Sequence, residues 1–299
     1  MGTRDRRASK TVGRGAALLA LTMALGMTLG CDEGGAPEAQ RALLQEHVPR
    51  VKELLRQDRE RHRAGVREAA QLLKRGFGVP DAETRERQMR VALGRIQQPA
   101  ARGSVPQFIA SPMAFLAAVD IDGTVIARDS DEDHMAGQQW KERYASVREA
   151  LEEGNVTYEL AEFPAIEEGQ PSSFSMIFTA PVQHEGQRVG AVTAGIPLWR
   201  EAQRLSRQLR IDHAEAIEAG LTLWVYMYRG DRVFYGPDAP PELNEVVPDA
   251  ATRRAGLERS PGGFTRDLQL YTRWYGYAVV PTPAIGEDAG IIVFRAEAP

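Results

Sequence analysis

The 299-residue chain holds one cysteine, Cys31, with only four lysines and five histidines. A single cysteine excludes an intramolecular disulfide and a zinc-thiolate set, so the folded body is held by packing. The histidines, His47, His62, His134, His184 and His213, are scattered and show no close pair at metal-ligand spacing; no metal and no cofactor is implied. No serine sits in a Gly-x-Ser-x-Gly elbow, and no glycine-rich phosphate loop precedes a helical pattern, so acyl-transfer and nucleotide chemistry lack their signatures. The apolar run at residues 16–30 spans fifteen residues, short of the about 20 that a transmembrane helix needs. The formal net charge of −4 gives no footprint for nucleic acid.

What is present begins at the N terminus. Arg4, Arg6, Arg7, Lys10 and Arg14 stand against the single acid Asp5, and the uncharged run that follows ends in Gly30-Cys31. This is the pattern of a secretory signal. Met27-Thr28-Leu29-Gly30-Cys31 resembles the processing site of bacterial lipoproteins, with Thr28 where that family usually carries leucine. The resemblance implies that Cys31 becomes the first mature residue and a lipid anchor, placing the protein outside the cytoplasm on a membrane, on the periplasmic side or at the cell surface. Charge beyond it is uneven. Residues 41–104 hold 15 Lys and Arg against 8 Asp and Glu, whereas residues 105–299 hold 17 against 29. A basic segment nearest the acyl chains suits either anionic headgroups or a solvated helix face.

Residues 39–77 read as one long helix, with Gly65 inside it and Gly76 one residue from its end. Its apolar stripe is Leu44, Val48, Val51, Leu55, Val66, Ala69 and Leu73. A second helix is expected from the N-cap Asp81 to about Gln97, burying Met89, Leu93 and Ile96. Two short apolar runs around Asp122-Gly123 predict a hairpin. Helical spacing over residues 131–153 puts Trp140, Tyr144, Val147 and Leu151 on one face. Strands are expected at 173–182 and 188–198, then a helix over 198–217. From Leu221 the order returns: a hairpin turned by Arg229-Gly230-Asp231, a proline-rich connection, a short helix at 249–257, and strands at 263–271, 273–280 and 290–295. The repeat is one of element order with little residue identity.

The run Phe115-Leu-Ala-Ala-Val-Asp-Ile-Asp-Gly-Thr-Val-Ile-Ala-Arg-Asp129 and the later Phe178-Thr-Ala-Pro-Val-Gln-His-Glu-Gly-Gln-Arg-Val-Gly-Ala-Val-Thr-Ala-Gly-Ile-Pro-Leu198 resemble the extracytoplasmic Cache sensor domains. Tyr275-Gly-Tyr-Ala-Val-Val-Pro281, with the terminal run at 291–295, is similar to the second module of a double Cache domain. The resemblance implies an α+β fold, a long N-terminal helix followed by two tandem PAS-like modules with antiparallel sheets and a small-molecule pocket in the first. The corresponding division is a signal at 1–30, a linker at 31–38, a helical lead-in at 39–104, a first module at 105–219 and a second at 220–299. An expected wall of the pocket is the helix at 131–153, where Trp140, Arg143 and Tyr144 offer an aromatic floor and a guanidinium suited to a carboxylate. Phe178 and Thr193 join them from the strands. Arg273-Trp274-Tyr275 has the letters of the amino-acid-binding Cache subset, but it lies in a strand of the second module, so an amino-acid ligand is not implied.

Two motifs compete with this reading. Val119-Asp120-Ile121-Asp122-Gly123-Thr124-Val125 matches the nucleophile loop of the haloacid-dehalogenase-like phosphatases. That chemistry needs a downstream cation and further carboxylates around a metal, and all four lysines, Lys10, Lys52, Lys74 and Lys141, precede the second half. The acidic cluster Asp129, Asp131, Glu132, Asp133 with His134 suits a helix N-terminus better than an irregularly spaced calcium loop. The expectation is a lipid-anchored sensor, not an enzyme, that binds a small molecule through the first module. The chain ends at Pro299 with no kinase, coiled coil or second span, which implies relay to a separate signalling or envelope protein. The alternative is a ligand-free docking or dimerisation lipoprotein.

Overall fold

The computed structural model describes residues 36–165, 169 and 171–297; the leader and the proposed anchor Cys31 lie outside them. The chain opens with α1 (Pro37–Ala42), a π-helical turn (Leu43–His47) and α2 (Val48–Phe77). Together they make a continuous helix about 60 Å long at 1.5 Å per residue. The reading of one uninterrupted helix overlooks Pro49, which has no N–H to give the preceding turn. The π turn sits just before it, where such bulges accommodate an extra residue. One consequence is a shift of the apolar stripe: Leu43 is buried, while the expected Leu44 is 54% exposed. From Val48 onward the expected stripe holds, with Val51, Leu55, Val66, Ala69 and Leu73 all buried. Gly65 is needed there because a Cβ would lie 2.6 Å from the Phe108 ring of α4 (Pro106–Ala110).

Helix α3 (Ala82–Ile96) starts as expected, with the Asp81 carboxylate accepting from Thr84 N at 2.9 Å, and buries Met89, Leu93 and Ile96. The first sheet then forms from β1 (Phe115–Asp120), β2 (Val125–Arg128), β3 (Thr157–Phe163), β4 (Ser173–His184) and β5 (Gln187–Pro197), in the order β2-β1-β5-β4-β3. All its pairs are antiparallel. Between β2 and β3 lies α5 (Ala145–Glu153), much shorter than the helix expected over 131–153. Residues 129–144 form turns instead, because side chains satisfy the backbone there. The Asp133 carboxylate accepts from the N–H groups of Arg128, Met135 and Ala136 at 2.8, 2.9 and 3.0 Å. The acidic cluster therefore caps a loop, not a helix, and Asp129 accepts from Leu116 N and the Gln97 amide, both at 3.0 Å.

Helix α6 (Leu198–Asp212) and the short α7 (Ala214–Glu218) lead to the second sheet: β6 (Thr222–Arg229), β7 (Arg232–Phe234), β8 (Phe264–Leu270), β9 (Arg273–Pro281) and β10 (Ala289–Ala296). Its order, β7-β6-β10-β9-β8, repeats that of the first. Two helices, α8 (Pro241–Glu245) and α9 (Ala250–Arg259), connect β7 to β8. Period-two alternation divides each sheet between two cores. Met176, Phe178, Val192 and Ala194 of the first sheet, and Leu223, Val225, Ile291 and Val293 of the second, face one continuous core with the π turn, α2 and α6. Ionic contacts pin α6 to α2: Arg204 bonds Glu201 at 2.7 Å and also contacts Asp58, which Arg61 reaches at 3.0 Å. Among the described residues, no helix is long and apolar enough to cross a membrane.

Candidate functional site

The outer face of the first sheet, away from the long helix, is where the sequence places a pocket. Trp140 and Tyr144 reach it from a single turn in which Tyr144 N donates to Trp140 O at 2.8 Å, so their helical spacing is real but local. Their rings lie 5.5 Å apart and meet Phe115 and Phe163 in edge and tilted contacts of 5.2 to 6.0 Å. Trp140 is fully buried and Tyr144 nearly so, and burial pushes the tyrosine hydroxyl up to about 12. These two rings fill the face instead of framing an opening. Arg143 beside them is exposed; it reaches Glu162 O at 3.3 Å and lines a shallow groove with Tyr144, Glu159 and Ser172.

Thr193 lies on the same outer face, buried and hydrogen-bonded to Thr179 at 3.0 Å. Phe178 does not join them. One residue from Thr179 along β4, it points to the opposite face, against His62 and Tyr158 at 5.1 Å each. Of the five residues expected to bind a ligand, three therefore meet at the outer face, Arg143 sits at its rim, and Phe178 belongs to the core under α2.

An opening exists next to the aromatic cluster, at the end of the sheet where β1 begins and β5 ends. It has a volume of about 380 Å³, and Phe115 and Phe163 form its wall toward the cluster. Arg128, His134, Met135, Gln138, Ser173 and Ser175 contribute from β2, the loop after it, and β4. This mixture of apolar wall and few polar groups is that of a small-molecule site. Arg128 has its Nε buried without a hydrogen-bond partner and its charge 3.8 Å from Asp129. Gln138 accepts from Trp140 Nε1 at 3.2 Å, which ties the cavity to the cluster. Sequence reasoning missed Arg128, Gln138 and the two serines because they come from three separated segments. Arg128 and Gln138 had only their nearness to the predicted hairpin as a signal, and the two serines only their place at the start of a predicted strand.

The fold also brings together what the sequence separates. His47 and His213 stack edge to face at 4.7 Å, and Glu46 lies 3.6 Å from His213. Their ligand atoms are close enough to hold a metal ion. The Arg295 guanidinium, however, already donates to His47 Nε2, and burial together with that charge lowers the His47 pKa to about 3. The field that disfavours a proton at this ring disfavours a metal cation as well.

The phosphatase-like motif forms a hairpin turn. The Asp120 carboxylate accepts from Ile121 N at 2.8 Å and pairs with Arg85 at 3.1 Å, while Asp122 accepts from Thr124 N at 2.8 Å. Both sheets are antiparallel, unlike the doubly wound parallel sheet that carries that nucleophile loop.

No family model and no curated protein matches the chain. Among solved structures it is similar to the ligand-binding domain of the Campylobacter jejuni chemoreceptor Tlp3, solved with L-norvaline. The identity is 11% and the TM-score 0.51, over 87% of this chain and 90% of that one. The V. cholerae histidine kinase DctB sensor domain aligns at 13% identity and a TM-score of 0.49, over 87% and 99% of the two chains. The ligand-binding domain of the Pseudomonas aeruginosa PAO1 chemoreceptor PctB, in complex with L-Gln, aligns at 16% and 0.46, over 86% and 90%. The last two scores are too low to add to the fold assignment. The likeness to the Tlp3 domain, with the long helix and two five-stranded antiparallel sheets, shows a Cache/PAS-like α+β fold.

Proposed function

We propose that this chain is a lipid-anchored, extracytoplasmic small-molecule sensor with a double Cache-like body, relaying occupancy to a separate partner. The observation that carries the reading is the cavity of about 380 Å³ beside the first sheet, with Arg128, Gln138 and two serines against Phe115 and Phe163. The Tlp3 domain, described as ligand-binding, supports the sensing role through its fold.

One observation favours the docking alternative. Trp140 and Tyr144 occupy the middle of the outer face, leaving the cavity at one end. Thermal unfolding of the full chain against carboxylates, amines, purines and divalent ions separates the two readings. A ligand at about 100 times its dissociation constant stabilises the native state by about 2.7 kcal/mol, a shift of a few degrees. The sensor reading expects such a shift, lost in Arg128→Gln. Silence across the panel, or a shift that no first-module variant alters, favours the docking lipoprotein.

A further inference from the structure

The second sheet has a cavity of its own, of about 420 Å³, on its outer face beneath α9. It lies at the hairpin end of its sheet, where β6 ends and β10 begins, whereas the first-module cavity lies at the opposite end of the equivalent strands. Arg253 and Tyr228 line it. Arg253 is only 3% exposed, and no carboxylate lies within ion-pair distance of it among the described residues. Its guanidinium donates to the carbonyls of Pro248 and Gly230, the latter at 2.7 Å, and lies 4.9 Å over the Tyr228 ring. An arginine stays charged even when buried, and Asp231 and Asp249 act on it only from beyond ion-pair distance, so two carbonyls and an aromatic face leave room for a closer anion. The Tyr228 hydroxyl is buried with no hydrogen-bond partner, and it lies over Gly290, where a Cβ would come within 2.4 Å of it. That glycine makes room for a polar group the protein itself does not satisfy.

We propose that this cavity is a second ligand site, taking a small monocarboxylate against Arg253 and Tyr228. The carboxylate would receive N–H donors from the guanidinium and the hydroxyl proton, a charge-assisted pairing for which arginine is suited. Asp231, Glu287 and Asp288 stand at the mouth, so a phosphate or a dianion meets repulsion that a single charge with an apolar tail escapes. Leu257, Ala250 and Pro281 give that tail an apolar wall.

The test is thermal unfolding of the full chain with propionate and benzoate, each set against its neutral amide. The acids are expected to raise the melting temperature by several degrees and the amides to leave it unchanged. Tyr228→Phe should weaken the acids at least tenfold while melting no lower than wild type without ligand, since it removes only an unpartnered hydroxyl. Arg253→Gln is the second variant and should abolish the acid-specific shift. No acid-specific shift, or one that Tyr228→Phe leaves intact, overturns the inference. A shift lost in Arg128→Gln and kept in Tyr228→Phe places the acid in the first-module cavity, which overturns this site and leaves the sensor reading standing.

Discussion

On the outer face of the first sheet the aromatic rings come from both sides of the interface: Phe115 and Phe163 from strands, Trp140 and Tyr144 from the segment that covers them. On the second, Trp224, Tyr226, Tyr228, Tyr277 and Phe294 come from strands, and the cover supplies Ala239, Leu243 and Leu257 with a single, partly exposed ring, Tyr235, 5.4 Å from Tyr226. Strand order is the same in both. The repeat therefore preserves topology and not the means of closure. A cover that inserts its own rings is held by deep side-chain burial, whereas one that rests mainly aliphatic groups on the sheet's rings relies on area together with polar ties, here the Tyr226 hydroxyl donating to Asn244 at 2.9 Å and Arg253 donating to Gly230 O at 2.7 Å. The difference bears on where each sheet leaves space, at opposite ends of equivalent strands.

The contrast is broken most directly at its largest side chain. Trp140→Ala is expected to cost about 3–5 kcal/mol, and Leu243→Ala, the matching change in the second cover, nearer 2 kcal/mol. Urea unfolding measures both, and a larger loss for Leu243→Ala would reverse the account of how the covers are held. Next in size is acid sensitivity, since the long helix sets one buried histidine against each module. His62 contacts Ser111 at 3.1 Å and Phe178, and burial lowers its pKa to about 4 from 6.5. Neutral when folded, it contributes stability that is complete above pH 6.5 and lost as pH falls through about 4. The loss for His62 is about 3 kcal/mol. Denaturation midpoints between those pH values should fall for the wild type and less steeply for His62→Gln, in which His47, its pKa lowered to about 3, still contributes; an unchanged slope would remove His62 from the account.

A smaller effect sharpens how the modules meet. Arg232 of β7 lies 5.2 Å over both Phe174 and Phe234, and it donates to Ser172, whose hydroxyl contacts Glu162. Arg232→Ala should cost about 1–3 kcal/mol. It should also speed hydrogen exchange in residues 160–164 and 172–176 of the first module. Protection lost only around residue 232 would show that the contact does not join the two sheets.

The hairpins were legible in the sequence because turn residues such as Asp122-Gly123 and Arg229-Gly230-Asp231 interrupt runs of period two. The Asp81 cap and the stripe from Val48 to Leu73 were equally plain. The stretch before α5 was not, since one turn joining Trp140 to Tyr144 produces the same spacing as several. Phe178 shows a second limit: alternation says that neighbours point apart but not which of them faces the helix. The cavity residues were hidden for a third reason. Arg128, Gln138, Ser173 and Ser175 become neighbours only through strand pairing, and isolated polar residues carry no period. His47 and His213 likewise meet only after α6 folds back along α2.

Because a single stripe on the long helix covers the inner faces of both sheets, neither sheet owns the wall against which it is sealed. Loosening one leaves the other's seal incomplete. Despite two repeated modules, the body should melt as one cooperative unit, with calorimetric and van't Hoff enthalpies in agreement, and not as two beads on a string.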